Sequence, residues 1–410
     1  EYSLWYCDIK NFKYINDLFG FHTGNLILKY WASCLKDSCR EDEAFCRISD
    51  DNFAFLWRLD EQDRLRERFN GLADRLASFG PFEEKNYQVE LISGVYIPEN
   101  PCGMDIDEML NRANMARKSI VSPRGSRILF FTEELRKKAL AGIEMEAEMR
   151  SALDKEEFVL YFQPQIKLTD VSGQKAHRAE ALVRWMRNGR IYAMPDDFIG
   201  LFEKNGMIAE LDLYIYERIC ILINRFKACG LTSVCIAVNV SRHTMMQPDF
   251  VETYLEIKKR YRIEDDELEL EFTESIAVEE LELMQKVLKQ LKKAGFICAM
   301  DDFGTGYSSL NVLQILPLDI LKLDKGFLAC EGEDRRRQIV VKSVLQMAKQ
   351  LDMLTIVEGV ENEEQLHLLQ KVGCDYLQGF LVSPPLSEDE YRSFVKEEEF
   401  HGGESEIRQI

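Results

Sequence analysis

The sequence predicts an α/β protein in two parts: an α+β domain over one sheet, then a closed (β/α)8 barrel. Three observations lead there. Its 410 residues exceed one average domain. The first third mixes strand and helix patterns irregularly and includes a hairpin. The remainder repeats short apolar strands with helical patterns between most of them, and eight such strands suit a closed barrel. No Gly-rich phosphate loop follows the first of them, which argues against the open doubly wound alternative.

In the first part Leu4–Ile9 reads as a strand, and Gly24–Leu35 as a helix with Leu26, Ile27, Tyr30, Trp31 and Cys34 on one face. Ala44–Ile48 and Asn52–Trp57 flank the polar turn Ser49-Asp50-Asp51, a hairpin pattern. A helix over Asp60–Ser78 leads through Gly80-Pro81 to a strand over Gln88–Tyr96, and a helix over Asp105–Ile120 follows. Val121-Ser122-Pro123-Arg124-Gly125 breaks the pattern before the strongly helical Thr132–Ala152. The boundaries expected are 1–132 for the first domain, 133–152 for a linker helix, 153–400 for the barrel and 401–410 for a polar tail. Glu1-Tyr2-Ser3-Leu4-Trp5 reads as a strand already under way, as expected of a piece of a longer protein.

The barrel strands expected are Phe158–Ile166, His177–Arg184, Ser233–Asn239, Leu268–Thr273, Ile297–Met300, Ile320–Leu323, Leu354–Val357 and Asp375–Gly379. Helical patterns between them include Ile208–Cys229, Ala277–Ala294, Arg336–Leu351 and Asn362–Lys371.

Composition narrows the function classes. No apolar run approaches the ~18 residues that a membrane span needs, so no membrane segment is expected. The net charge of −19 argues against a basic face for nucleic-acid polymers. Residues 1–140 hold 20 Lys and Arg against 23 Asp and Glu, whereas the rest hold 32 against 48. An acidic domain that binds an anion needs a local correction, and divalent metal is the obvious one. The eleven cysteines are scattered, and Cys34, Cys39 and Cys46 form no CxxC pair, so reduced core thiols in a cytoplasmic protein are expected.

At or just after the C-terminal ends of the expected barrel strands stand Glu180, Asn239, Glu271, Asp301 with Asp302, Lys322, Glu358 and Gln378. A barrel gathers those ends at one face, where active sites are built. One strand-end carboxylate usually caps the next helix or meets solvent. A coincident set that also holds a lysine and two amides is a site instead. Five carboxylates and an amide oxygen suit Mg²⁺ or Mn²⁺ better than zinc, and no histidine stands at these ends.

These residues lie in an ordered series of motifs: Gln163-Pro164-Gln165, Glu180-Ala181-Leu182-Val183-Arg184-Trp185, Asn239-Val240-Ser241, Glu271-Phe272-Thr273-Glu274 and Asp301-Asp302-Phe303-Gly304-Thr305-Gly306-Tyr307-Ser308-Ser309-Leu310. Pro317-Leu318-Asp319-Ile320-Leu321-Lys322-Leu323-Asp324, Val357-Glu358-Gly359-Val360-Glu361 and Gln378-Gly379-Phe380 complete it. Over about residues 140–395 the chain resembles the EAL family of cyclic di-GMP phosphodiesterases, which fold as TIM-like barrels. The resemblance implies hydrolysis of cyclic di-GMP to linear 5′-pGpG with two Mg²⁺ or Mn²⁺. Glu180, Asn239, Glu271 and Asp301 would hold one ion; Asp301, Asp302 and Glu358 would hold the other. Lys322 would orient or acidify the attacking water, and Glu358 is a ligand or a general base. Gln163, Leu182, Arg184 and Gln378 would meet substrate or stand behind the ligands. Glu274 would hold the loop over Asp302–Leu310, whose Ser308-Ser309 can cap the next helix. Calcium should inhibit, because it prefers looser, longer coordination. A homodimer is a further expectation of the family.

Residues 1–132 resemble a GGDEF domain, the diguanylate cyclase family. Asp8-Ile9-Lys10-Asn11-Phe12-Lys13-Tyr14-Ile15-Asn16-Asp17 matches its metal and nucleotide turn, Gly20 and Gly24 its later glycines, and Asn114-Met115-Ala116-Arg117-Lys118 its closing helix. The signature turn has degenerated to Ser49-Asp50-Asp51-Asn52-Phe53, which lacks both glycines and puts Asn52 where an acid is expected. Asn25 and Phe21 replace an aspartate and a histidine of the family. Cyclase activity is therefore expected to be absent. Asp8, Asn11 and Asn16 survive, which leaves GTP or GDP binding open beside a spacer or dimerising role. Arg40-x-x-Glu43 weakly matches an inhibition site and more simply reads as a surface pair. The alternative to an active phosphodiesterase is a silent cyclic di-GMP receptor, which should lack metal ligands; here every position is filled.

Overall fold

A computed structural model of the chain describes residues 1–79, 88–98, 104–120, 127–168, 177–231, 234–304, 310–328 and 335–400. The chain divides into two compact units after Met145. Gly80-Pro81, Val121–Gly125, the segment from Thr305 to Ser309 and the tail 401–410 lie outside the described residues.

The first unit contains β1 (Tyr2–Ile9), α1 (Phe12–Ser38), β2 (Ala44–Ser49), β3 (Asn52–Arg58), α2 (Gln62–Ala77), β4 (Leu91–Tyr96), α3 (Ile106–Lys118), β5 (Arg127–Phe130) and the start of α4 (Glu133–Asp154). The sheet order is β2-β3-β1-β4-β5. Trp5 stacks between Phe55 and Phe69, with ring centroids 5.3 and 5.4 Å away, and Trp31 and Trp57 are equally buried. Helix α1 begins at Phe12, well before the expected Gly24, and kinks at Gly20, whose φ of 83° only glycine adopts readily. The early turns hide from periodicity because Tyr14, Leu18 and Phe21 are exposed. Strand β5, parallel to β4, was not expected; four residues are too few for a pattern.

The second unit contains β6 (Phe158–Lys167), β7 (Arg178–Arg187), β8 (Arg190–Ala193), α5 (Pro195–Asn205), α6 (Ile208–Ala228), β9 (Cys235–Asn239), α7 (Arg242–Met245), α8 (Phe250–Arg260) and β10 (Leu268–Thr273). It continues with α9 (Glu274–Glu279), α10 (Leu281–Lys293), β11 (Ile297–Phe303), α11 (Leu310–Ile315), β12 (Ile320–Leu323), α12 (Arg335–Gln350), β13 (Leu354–Val357), α13 (Glu363–Val372), β14 (Tyr376–Gln378) and α14 (Glu388–Phe400).

Eight strands close the expected barrel in the order β6-β14-β13-β12-β11-β10-β9-β7, with β7 returning to β6. The regular (β/α)8 pattern needs one correction: β6 runs antiparallel to both neighbours, β14 and β7. A parallel crossover takes a dozen or more residues, and the stretch from Lys167 to Arg178 is shorter than that. β8 hairpins back from β7 through Asn188-Gly189, both at positive φ, a turn whose sequence signal was available and not used. Among the described residues no helix is long and apolar enough to cross a membrane.

Candidate functional site

The parallel strands β7 and β9–β14 present their C-terminal ends together, and the polar residues of those ends converge. Lys322, with no exposed surface, lies at the centre. Its Nζ is 3.2 Å from Glu180 Oε2, 2.8 Å from Glu271 Oε2, 3.2 Å from Asp301 Oδ1 and 2.6 Å from Glu358 Oε1. Asn239 Nδ2 donates to Glu180 Oε1 at 2.9 Å, and Gln378 Nε2 donates to Glu180 Oε2 at 2.7 Å. Gln378 also reaches Gln163 at 3.4 Å and accepts from Gln165 at 2.9 Å.

Asp301 and Asp302 owe their joint presence to a register irregularity between β11 and β12 after Met300. Asp302 takes a left-handed φ of 55°, and its N–H donates to Asp301 Oδ1 at 2.9 Å. The exit of β11 is pinned from two sides. Glu274 Oε2 accepts from the Gly304 N–H at 2.8 Å. The Phe327 ring lies so close to Gly304 that a Cβ there would come within 2.0 Å of it.

Four carboxylates thus share one ammonium in a buried setting. Among the described residues neither oxygen of Glu271 nor Oε1 of Glu358 has a well-directed hydrogen bond, and Lys322 meets them as ion-pair contacts. Burial pushes the Glu271 carboxyl well up despite Lys322, and brings Glu358 up to about 8. Burial also raises Asp302, with the Asp301 charge adding to it. At Glu180 burial is outweighed by Lys322 and by the bonds from Gln378 and Asn239, so its carboxyl falls. Burial would lower Lys322, yet the surrounding carboxylates raise it well above the usual lysine range.

Oxygens of Glu180, Glu271 and Asp301 lie within 4.8 Å of one another, as do those of Asp301, Asp302 and Glu358. Two trios of hard oxygen donors sharing Asp301, with oxygens of Glu271 and Glu358 left without a hydrogen bond among the described residues, fit divalent cations such as Mg²⁺ or Mn²⁺. Leu182 and Arg184 follow Glu180 on the same face of β7. The Arg184 guanidinium lies 5.9 Å over the Tyr161 ring and donates to the Val183 carbonyl at 2.8 Å.

A family model described as the EAL domain matches residues 146–385, more than half of the chain. This chain belongs to the EAL domain family. A second model, "Diguanylate cyclase, GGDEF domain", matches residues 1–121, so a GGDEF domain precedes the EAL domain. The chain is 29% identical to "Cyclic di-GMP phosphodiesterase NbdA" of Pseudomonas aeruginosa, over 94% of its own length and 48% of that protein. It is 28% identical to "Bifunctional diguanylate cyclase/cyclic di-GMP phosphodiesterase MucR" of the same organism, over 96% of its length and 57% of that protein. It therefore spans about half the length of these relatives. The solved structure "PaMucR Phosphodiesterase, c-di-GMP complex" matches 60% of this chain and 99% of its own, at 31% identity and a TM-score of 0.56.

In the GGDEF domain the surviving Asp8 is already engaged. Arg117 of α3 makes a close ion pair with Asp8, donates to Asn114 Oδ1 at 2.9 Å and lies 5.4 Å over the Tyr6 ring. Burial brings Asp8 up to about 6, with Arg117 opposing and Asp51 adding to the rise. Asn11 stands before α1 with a left-handed φ of 56°, Asn16 lies within α1, and Asn52 Nδ2 reaches Ser49 Oγ at 3.5 Å. Glu43 is half-buried, and its enclosed carboxylate takes Arg68 at 2.8 Å and the N–H groups of Arg40 and Arg58, each at 2.9 Å. Against burial, these donors hold it down at about 2.

Sequence reasoning missed several charges that the EAL domain buries or nearly buries. Glu269, Arg178 and Asp212 all lie within apolar elements. The alternation Leu268-Glu269-Leu270-Glu271 held the signal, since period two turns both glutamates to one face of β10.

Proposed function

We propose that the EAL domain hydrolyses cyclic di-GMP to linear 5′-pGpG with two divalent cations, while the GGDEF domain makes no cyclic di-GMP and regulates its neighbour. The carrying observation is the buried carboxylate cluster around Lys322, whose acceptors outnumber its donors. In this reading Glu180, Asn239, Glu271 and Asp301 hold one Mg²⁺ or Mn²⁺, and Asp301, Asp302 and Glu358 hold the other. When bound, such ions neutralise the attacked phosphate and make the attacking water more acidic.

The chain's own groups supply the rest. The Lys322 ammonium directs a donor at that water and offsets carboxylate charge, and Glu358 serves as ligand or as acceptor of the water's proton. Gln378, bound to Gln163 and Gln165, keeps Glu180 in one orientation. Arg184 is the cation for a substrate phosphate, and Leu182 and Gln163 line its approach. Water adds to phosphorus, one P–O3′ bond breaks, and the 3′ oxygen leaves with a proton. The named activities of NbdA and MucR support the substrate. The Arg117–Asp8 pair and the missing acid at Asn52 support an inactive cyclase. Free buried thiols at Cys7, Cys34, Cys220, Cys235, Cys298 and Cys374 support a cytoplasmic site of action.

The test is chromatography of products from cyclic di-GMP with Mg²⁺ or Mn²⁺, with and without GTP or GDP. Formation of 5′-pGpG is expected. No product above a Glu180→Ala control would favour the silent-receptor reading.

A further inference from the structure

Directly within the barrel, close to the cluster, lies a buried ion pair to which no role has yet been given. Arg178 precedes Glu180 by two residues on β7, and Glu269 precedes Glu271 by two on β10. Period two therefore turns each toward the interior on the same face as its neighbour in the cluster. The pair is in close contact, with side-chain exposures of 13% and 0%. β7 and β10 are not adjacent, because β9 runs between them. Ala237 of β9, a small side chain, stands in register with both Glu180 and Glu269. The Arg178 guanidinium lies 5.3 Å from the centre of the Tyr376 ring of β14, which limits its motion from another side.

We propose that Arg178 and Glu269 are positioning residues: a clamp across β9 that fixes the spacing of Glu180 and Glu271, and with it the affinity for the cation those carboxylates share with Asp301. The proposal rests on the metal reading of the cluster. The physical reason is leverage. A fixed contact two residues along each strand leaves Glu180 and Glu271 little freedom to move apart, so less ordering is needed when a cation draws their oxygens together. Glu269 also senses the charges of Lys322, Glu180 and Asp301, which places the clamp within electrostatic reach of the cluster.

The test uses the full chain and Mn²⁺ as probe, with affinity and stoichiometry read by electron paramagnetic resonance and folding by thermal melts without metal. Replacing both partners by apolar residues, Arg178→Met with Glu269→Leu, removes the clamp without stranding a buried charge. The expected result is a melting temperature near wild type, a 10–100-fold weaker affinity for one Mn²⁺ and a fall in kcat with little change in KM. Arg178→Lys keeps the charge but loses the planar fork, and its expected affinity lies between the two. Wild-type Mn²⁺ affinity in a folded double variant overturns the clamp. If the double variant does not fold, wild-type affinity in Arg178→Lys overturns it instead. A wild-type chain that binds no Mn²⁺ overturns the metal reading, and the clamp with it.

Discussion

The Lys322 ammonium lies 2.8 Å from Oε2 of Glu271, and neither side chain has any exposed surface. Yet among the described residues neither oxygen of Glu271 accepts a well-directed hydrogen bond. A buried carboxylate in that condition costs several kcal/mol unless a cation completes its surroundings. Lys322 alone cannot do so, since it also faces Glu180, Asp301 and Glu358.

Cation binding should therefore stabilise the fold. At a hundred times its dissociation constant, Mn²⁺ or Mg²⁺ contributes about 2.7 kcal/mol per site. Thermal melts should rise with either ion and fall on chelation, and Glu271→Gln should lose most of the rise. Melts indifferent to both ions would count against a metal centre.

Asp301 belongs to both carboxylate trios, and Asp302 to the second. Asp301→Asn or Asp302→Asn should lower turnover of cyclic di-GMP by orders of magnitude while circular dichroism stays unchanged. Calcium in place of Mg²⁺ should inhibit wild type, and full turnover in calcium alone would refute the expected coordination.

Among the described residues Glu274 is tied to the exit of β11 through the Gly304 N–H, 2.8 Å away. Glu274→Ala frees the exit of β11 that carries Asp301 and Asp302. A 10–100-fold loss of kcat is expected, with a melting temperature within a few degrees of wild type. Steady-state kinetics beside a melt distinguishes this from general destabilisation.

Asp212 of α6 accepts the Ser241 N–H at 3.0 Å and the Thr244 hydroxyl at 2.6 Å, just beyond Asn239. Burial brings its carboxyl up from 3.8 to about 6, with those donors opposing. A folded-state value above the unfolded one means that this group's contribution is fully present below pH 3.8 and is lost as pH rises through about 6. The loss is on the order of 3 kcal/mol. Asp212→Asn should flatten stability between about pH 4 and pH 6 in denaturant titrations; an unchanged pH profile would refute this assignment.

Much of the barrel was legible because its strands are short apolar runs of fixed period between helices, and β10, β12 and β13 have the bounds expected from sequence. The first three turns of α1 and strand β5 were not. Their apolar residues are exposed or too few to set a period. The direction of β6 was equally hidden, since Phe158–Lys167 looks the same running either way, and only the length of the connection to β7 decides it.

The sequence by itself determined which residues stand at the strand ends, from Glu180 to Gln378, and that they are hard oxygen donors around one lysine. It also exposed the degenerate turn at Ser49–Phe53. The tertiary structure decided how these groups share space. Only closure of the sheet sets four carboxylates around Lys322, and only a register irregularity turns Asp301 and Asp302 to one site. It likewise spent Asp8 on Arg117 and Glu43 on Arg68, which lie 109 and 25 residues away in sequence. The reason is physical: a residue's type is local, whereas its charge partner, burial and pKa depend on which distant strands the fold brings within a few ångströms.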